Sequence, residues 1–93
     1  MSDLISVKVR FFAWIREEVG RGEIVIKCKD TLYDVFECIR MIIGDKINKI
    51  IYDGRLREGI IIAVNNEVVT ENLDRIILRD KTVVDIMPLG SGG

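Results

Sequence analysis

Apolar and polar residues alternate from Ile5 to Phe11, with Ile5, Val7, Val9 and Phe11 on one side and Ser6, Lys8 and Arg10 on the other. A period of two predicts a half-buried strand. The period then lengthens. Phe12, Ile15 and Val19 recur at helical spacing, which predicts a short helix stopped by Gly20. Trp14 falls off that stripe and is expected at the surface. Alternation returns over Glu23–Lys29, with Ile24, Ile26 and Cys28 on one side, predicting a second strand. The strongest helical stripe follows, made of Leu32, Val35, Phe36, Ile39 and Ile43. Thr31 with Asp34 three residues later is a capping-box-like start: the hydroxyl accepts an orphan N–H and the carboxylate suits the positive helix end. Gly44 is the stop.

The stretch from Asp45 to Glu58 carries the weakest pattern. Ile47, Ile50 and Ile51 suggest one short turn, and Asp53-Gly54 marks a bend. Ile60–Val64 is a continuous β-branched run around Ala63, which predicts a strand buried on both faces. Asn65-Asn66 tolerates the positive φ of a tight turn, so Glu67–Val69 is expected to return as a short hairpin partner. Leu73, Ile76, Ile77 and Leu78 suggest a connecting segment with another small strand. Asp80-Lys81 then turns into a last strand, Thr82–Met87. Strand, short helix, strand, long helix, irregular region, hairpin and final strand is an α+β order. It fits the β-grasp layout: a mixed sheet with one long helix packed on one face and a short helix after the first strand. In that layout the first and last strands lie side by side and parallel. Residues 1–88 form the single domain, and 89–93 are expected to be a flexible tail.

Composition narrows the chemistry. Ninety-three residues, 48% of them hydrophobic, support one core without staples. A net charge of −1 provides no global field for nucleic acid or an anionic membrane. No apolar run reaches transmembrane length, and the start lacks a basic region followed by an apolar stretch. The cytoplasm is therefore the expected location. Histidine is absent and there are two cysteines, Cys28 and Cys38. That excludes Ser-His and Cys-His nucleophile pairs, mixed Cys/His metal sites and four-thiolate clusters. Both cysteines are expected to act as small apolar packing residues. Scattered carboxylates without histidine do not make a catalytic cleft, and no glycine-rich loop opens a helix to hold phosphate.

What remains is the end of the chain. Leu89-Gly90-Ser91-Gly92-Gly93 follows the last strand and its single proline, Pro88. A small-residue arm can thread a narrow channel, because glycine lets a partner approach the backbone closely. The carboxylate of Gly93 is then the one chemically useful group. Taken together, four stretches resemble the small subunit of molybdopterin synthase, within the MoaD/ThiS family of ubiquitin-like sulfur carriers. They are "VKVRFFAWIREEVG" at 7–20, "KDTLYDVFECI" at 29–39, "IIIAVNNEVV" at 60–69 and "LRDKTVVDIMPLGSGG" at 78–93. The chain departs from the family at Asp80-Lys81, where Gly-Asp is frequent, and at Met87, where an aromatic is common.

The resemblance implies a carrier that is not catalytic alone. An ATP-dependent adenylating enzyme of the ubiquitin-activating type adenylates Gly93, and a sulfur donor converts it to a thiocarboxylate. A large, MoaE-type subunit then accepts the tail, and the sulfur goes to a pterin precursor of molybdopterin. Gly92 serves tail threading, and no cofactor is bound by this chain. Met87, Pro88, Leu89, Gly90 and Ser91 are the expected partner-binding residues, with the Phe11-Phe12 corner a further candidate for an apolar patch. Phe11 and Phe12 are nevertheless expected in the core, as large apolar side chains usually are. Arg55, Arg57, Arg75, Arg79 and Lys81 are expected as solvated surface. Two other readings stay open: a carrier for tRNA thiolation or protein tagging, and a β-grasp interaction module without tail chemistry.

Overall fold

A computed structural model describes residues 3–70 and 72–90. Strands β1 (Ile5–Phe11), β2 (Glu23–Cys28), β5 (Ile60–Val64), β6 (Glu67–Val69) and β7 (Thr82–Pro88) form one sheet in the order β2-β1-β7-β5-β6. β1 and β7 run parallel as its centre, and every other neighbouring pair is antiparallel. Helix α1 (Ala13–Val19) follows β1, and helix α2 (Leu32–Ile43) crosses one face. A separate ribbon pairs β3 (Ile51–Tyr52) with β4 (Arg55–Leu56) around the Asp53-Gly54 turn. This is the β-grasp arrangement that the order of elements predicts.

The helix-covered face is the core. Val7, Val9 and Phe11 from β1, Ile24 and Ile26 from β2, and Val84 and Ile86 from β7 meet Leu32, Val35, Phe36 and Ile39 of α2. Phe36 is 1% exposed, as its mid-stripe position requires. Thr31 caps α2 in both senses: its Oγ1 accepts the Asp34 N–H at 3.1 Å and donates to Asp34 Oδ2 at 2.6 Å. Cys28 lies in the core, and Cys38 is half-buried. Burial pushes the Cys28 thiol up to about 12 from an ordinary 9.0, because the thiolate would lose its water.

The short turn expected after Gly44 is present, and two other expectations change in detail. Residues 44–49, where the sequence pattern is weak, form a 3₁₀ segment that drives Ile47 into the core. Residues 73–75 form a 3₁₀ turn, not a strand, and only Ile77 makes a bridge, to Thr31. β5 is not equally buried on both faces: Ile60, Ile62 and Ala63 are buried, whereas Ile61 and Val64 are half-buried. No described helix is long and apolar enough to cross a membrane.

Candidate functional site

The exit of the chain from the sheet follows from the parallel centre. β1 and β7 both finish at the same end, with Phe11 opposite Ile86. The Phe12 N–H continues the ladder by donating to the Ile86 carbonyl at 3.2 Å. β7 then runs on to Pro88 opposite Ile60. Proline fits here because the neighbouring Leu89 N–H, not the missing one, donates to β5's flank, reaching the Gly59 carbonyl at 2.7 Å. Leu89 is 62% exposed, and Gly90 takes a left-handed φ of 58°. Ser91, Gly92 and Gly93 lie outside the described residues.

The sheet's other face carries a polar row and an apolar row beside this exit. In the first, Glu23, Arg10, Asp85 and Ala63 lie in register across four strands. Arg10 grips Asp85 bidentately, Nε to Oδ1 at 2.6 Å and Nη2 to Oδ2 at 2.9 Å. The Asp85 side chain is 8% exposed, so this charge-assisted fork stands in for the water it has lost. Asp85 holds the Arg10 guanidinium even more firmly protonated than usual, chiefly through that hydrogen bond. In the second row, the same register sets Phe12 beside Met87, which pairs with Ile61. Met87 and Ile61 are half-buried, and Phe12 is exposed. Arg10 sits over the Phe12 ring, 5.6 Å from its centroid, so the two rows touch.

The two phenylalanines therefore separate. Phe11 is core, 2% exposed, as expected. Phe12 is not: strand alternation carries it to the open face, and its exposure corrects the expectation that it is buried. The same alternation, continued one residue past the strand, is the signal for it. Met87, Pro88, Leu89 and Gly90 come together at the exit with Phe12 and Ile61. Ile61 is hidden by its apolar neighbours, because a continuous β-branched run conceals which side chain faces out. Trp14 is exposed as expected, at the start of α1. Arg79 and Lys81 precede β7 and so sit at the sheet end opposite the exit. Arg57 is occupied locally, donating to the Asn48 carbonyl at 2.8 Å and stacking 4.6 Å from the Tyr52 centroid.

Among the described residues no three side chains are placed to hold a metal ion. A groove of about 610 Å³ is lined by Tyr33, Arg55 and Asp74 among others and shares no residue with Met87–Gly90. The described residues carry the chain out of the sheet beside an apolar strip.

A parallel β1–β7 centre, one long helix on one face and an outgoing C-terminal strand define a ubiquitin-like β-grasp protein. A profile of the ThiS family matches residues 9–93, and the chain belongs to that family of ubiquitin-like sulfur carriers and modifiers. Its members are small carriers without catalysis of their own. Solved structures agree. The small archaeal modifier protein 1 of Methanosarcina acetivorans is 26% identical with a TM-score of 0.80, over 97% of this chain and 98% of that one. A Pyrococcus furiosus protein assigned as subunit 1 of a molybdopterin converting factor is 28% identical with a TM-score of 0.72, over 91% and 98%. CysO in the BexX/CysO complex of Amycolatopsis orientalis shares the fold, at 22% identity and a TM-score of 0.74 over 94% and 99%. No curated protein sequence matches the chain.

Proposed function

We propose that this protein carries sulfur as a thiocarboxylate on Gly93 and delivers it for molybdopterin synthesis as the small subunit of molybdopterin synthase. A carboxylate at neutral pH is a poor electrophile. An adenylating enzyme of the ubiquitin-activating type therefore joins it to AMP, using ATP and releasing pyrophosphate. A sulfur nucleophile then displaces AMP and leaves the thiocarboxylate. Residues 1–88 are the handle and 89–93 the arm, with Gly92 small enough for a narrow channel and Gly90 and Ser91 following Leu89 into it. The chain binds no cofactor, and ATP is consumed by the activating enzyme. A large, MoaE-type subunit accepts the arm.

The observation that carries the reading is the placement of Leu89 and Gly90 directly beside the Phe12–Met87–Ile61 row. An arm of small residues has few side chains to offset the roughly 1–2 kcal/mol of backbone entropy lost per ordered residue. Affinity must come from beside it, and this row with Pro88 is the apolar surface in reach. The second reading, a protein modifier using the same activated Gly93, is supported by the likeness to the archaeal modifier. Incubation with an activating enzyme, ATP and sulfide tests the common step. Intact mass should rise by the exchange of one oxygen for sulfur, and deletion of Gly93 or Gly92→Trp should abolish the gain without changing the melting temperature. An unmodified wild-type mass would overturn both readings. Transfer to a pterin precursor with a large subunit, against conjugation to lysines, separates them.

A further inference from the structure

The sheet has two edges, and they are built differently. β6 is three residues long, and so short an edge offers little to pair with. β2 is six residues long, and its outer side is open along Glu23–Cys28. The ladder to β1 fixes which groups point outward. The Phe11 N–H donates to the Gly22 carbonyl at 2.9 Å, so the hydrogen-bonded pairs continue as Val9 with Ile24, Val7 with Ile26 and Ile5 with Cys28. The N–H and C=O groups of Glu23, Val25 and Lys27 therefore face away from the sheet. Among the described residues only the Lys27 carbonyl has a visitor, the weak Cys38 S–H donor at 3.7 Å.

We propose that β2 is a self-pairing edge, at which two copies of this chain join antiparallel about Val25 into one continuous sheet. The three outward residues are spaced for it. Around a two-fold axis at Val25, Val25 faces Val25 of the second copy, Glu23 faces Lys27, and Lys27 faces Glu23. Each pair exchanges two backbone hydrogen bonds, so the outward groups of all three residues find partners. The side chains agree with the backbone. Val25 is 62% exposed on the open face, where burial against its copy is favourable. Opposite charges face each other on both sides of it, and such cross-strand pairs stabilise a sheet. On the other face Ile24 and Ile26 are already covered within each copy.

The alternatives are disfavoured. A slip of one residue turns the outward groups out of phase. A slip of two sets Lys27 against Arg21 in one direction, and in the other sets Val25 against Lys27 and loses the Val25 contact. The self-complementarity about Val25 favours a second copy over an unrelated strand. The paired segment is short, well below a standard interface, so the dimer is weak and concentration-dependent.

Amide exchange on the wild type provides the direct test. The N–H groups of Ile24 and Ile26 are engaged with β1 in either state, whereas those of Glu23, Val25 and Lys27 are protected only in the dimer. NMR exchange rates at rising concentration should show the odd-numbered amides slowing while the even-numbered ones stay constant. Sedimentation velocity over the same range should show monomer passing to dimer. Lys27→Glu should raise the dissociation constant about tenfold, and adding Glu23→Lys should restore most of the affinity. Val25→Arg, which sets like charges on the two-fold axis, should leave a folded monomer. A wild type that stays monomeric up to millimolar concentration overturns the proposal, including the case in which β2 serves a strand from another protein. A dimer that forms without slowing the odd-numbered amides overturns it equally.

Discussion

The two faces of the central sheet are made from alternate residues of the same strands, yet they obey different constraints. Val9, Val84 and Ile62 look toward α2 and are fully buried, and their partners are all within the chain. Arg10, Asp85 and Ala63, one position along, look the other way. There a buried carboxylate is held by a guanidinium that also reaches Phe12. A core face needs only volume and apolarity, so many apolar residues would serve it. The open face mixes a paired charge with half-exposed Met87 and Ile61 and exposed Phe12, a combination that folding alone does not require. On the proposed reading, the difference separates residues that hold the domain together from those that face a partner.

The contrast is sharpest when one residue is broken on each face. Phe36→Ala should cost roughly 3–5 kcal/mol, since the ring is fully enclosed between α2 and the sheet. A urea midpoint near that of the wild type would show the helix face to be loosely packed. Met87→Asp should lower that midpoint far less, because Met87 is only half-buried. It should weaken binding to a large subunit or activating enzyme by tenfold or more, because charge is excluded from interface centres. Calorimetric titration measures this, and unchanged affinity in a folded variant would move the docking surface off the Phe12–Met87–Ile61 row.

The core face also predicts a pH response. The folded thiol of Cys28 ionises near 12 and an unfolded one near 9.0, so below about 9 both are neutral and nothing changes. Above it the unfolded state loses the proton first, and stability should fall progressively until about pH 12. Cys28→Ala should remove that part of the slope in unfolding measured against pH, and an unchanged slope would argue against thiol burial as its source. The smallest effect lies at the seam of the two faces. Ala13 holds a left-handed φ of 52° where β1 gives way to α1. Ala13→Gly should raise stability by up to about 1 kcal/mol, the steric relief being offset in part by glycine's freer unfolded chain. A loss of stability on denaturant titration would mean that the methyl packs usefully.

Much of this architecture is legible in the chain itself. Strand alternation in residues 5–11 and 23–28 and the stripe from Leu32 to Ile39 predict the elements, their order predicts the β-grasp layout, and the tail stands out as a string of small residues. The gaps have physical causes. Residues 44–58 have no sustained period, because a 3₁₀ segment and a two-residue ribbon are too short to show one. Phe12 departs from expectation because apolarity alone suggests burial, although one residue beyond Phe11 the chain still alternates.

The sequence by itself determined the periods, the caps and the glycine-ended arm, since these depend on neighbours within a turn of helix or a step of strand. Only the tertiary structure decided that Phe12, Met87 and Ile61 share a row, that Asp85 is enclosed by Arg10, and that β2 is left at an edge with its outward groups in phase. Each of those joins residues far apart along the chain, and register between distant strands is written in no local pattern. It is set when the parallel pairing of β1 with β7 closes the sheet.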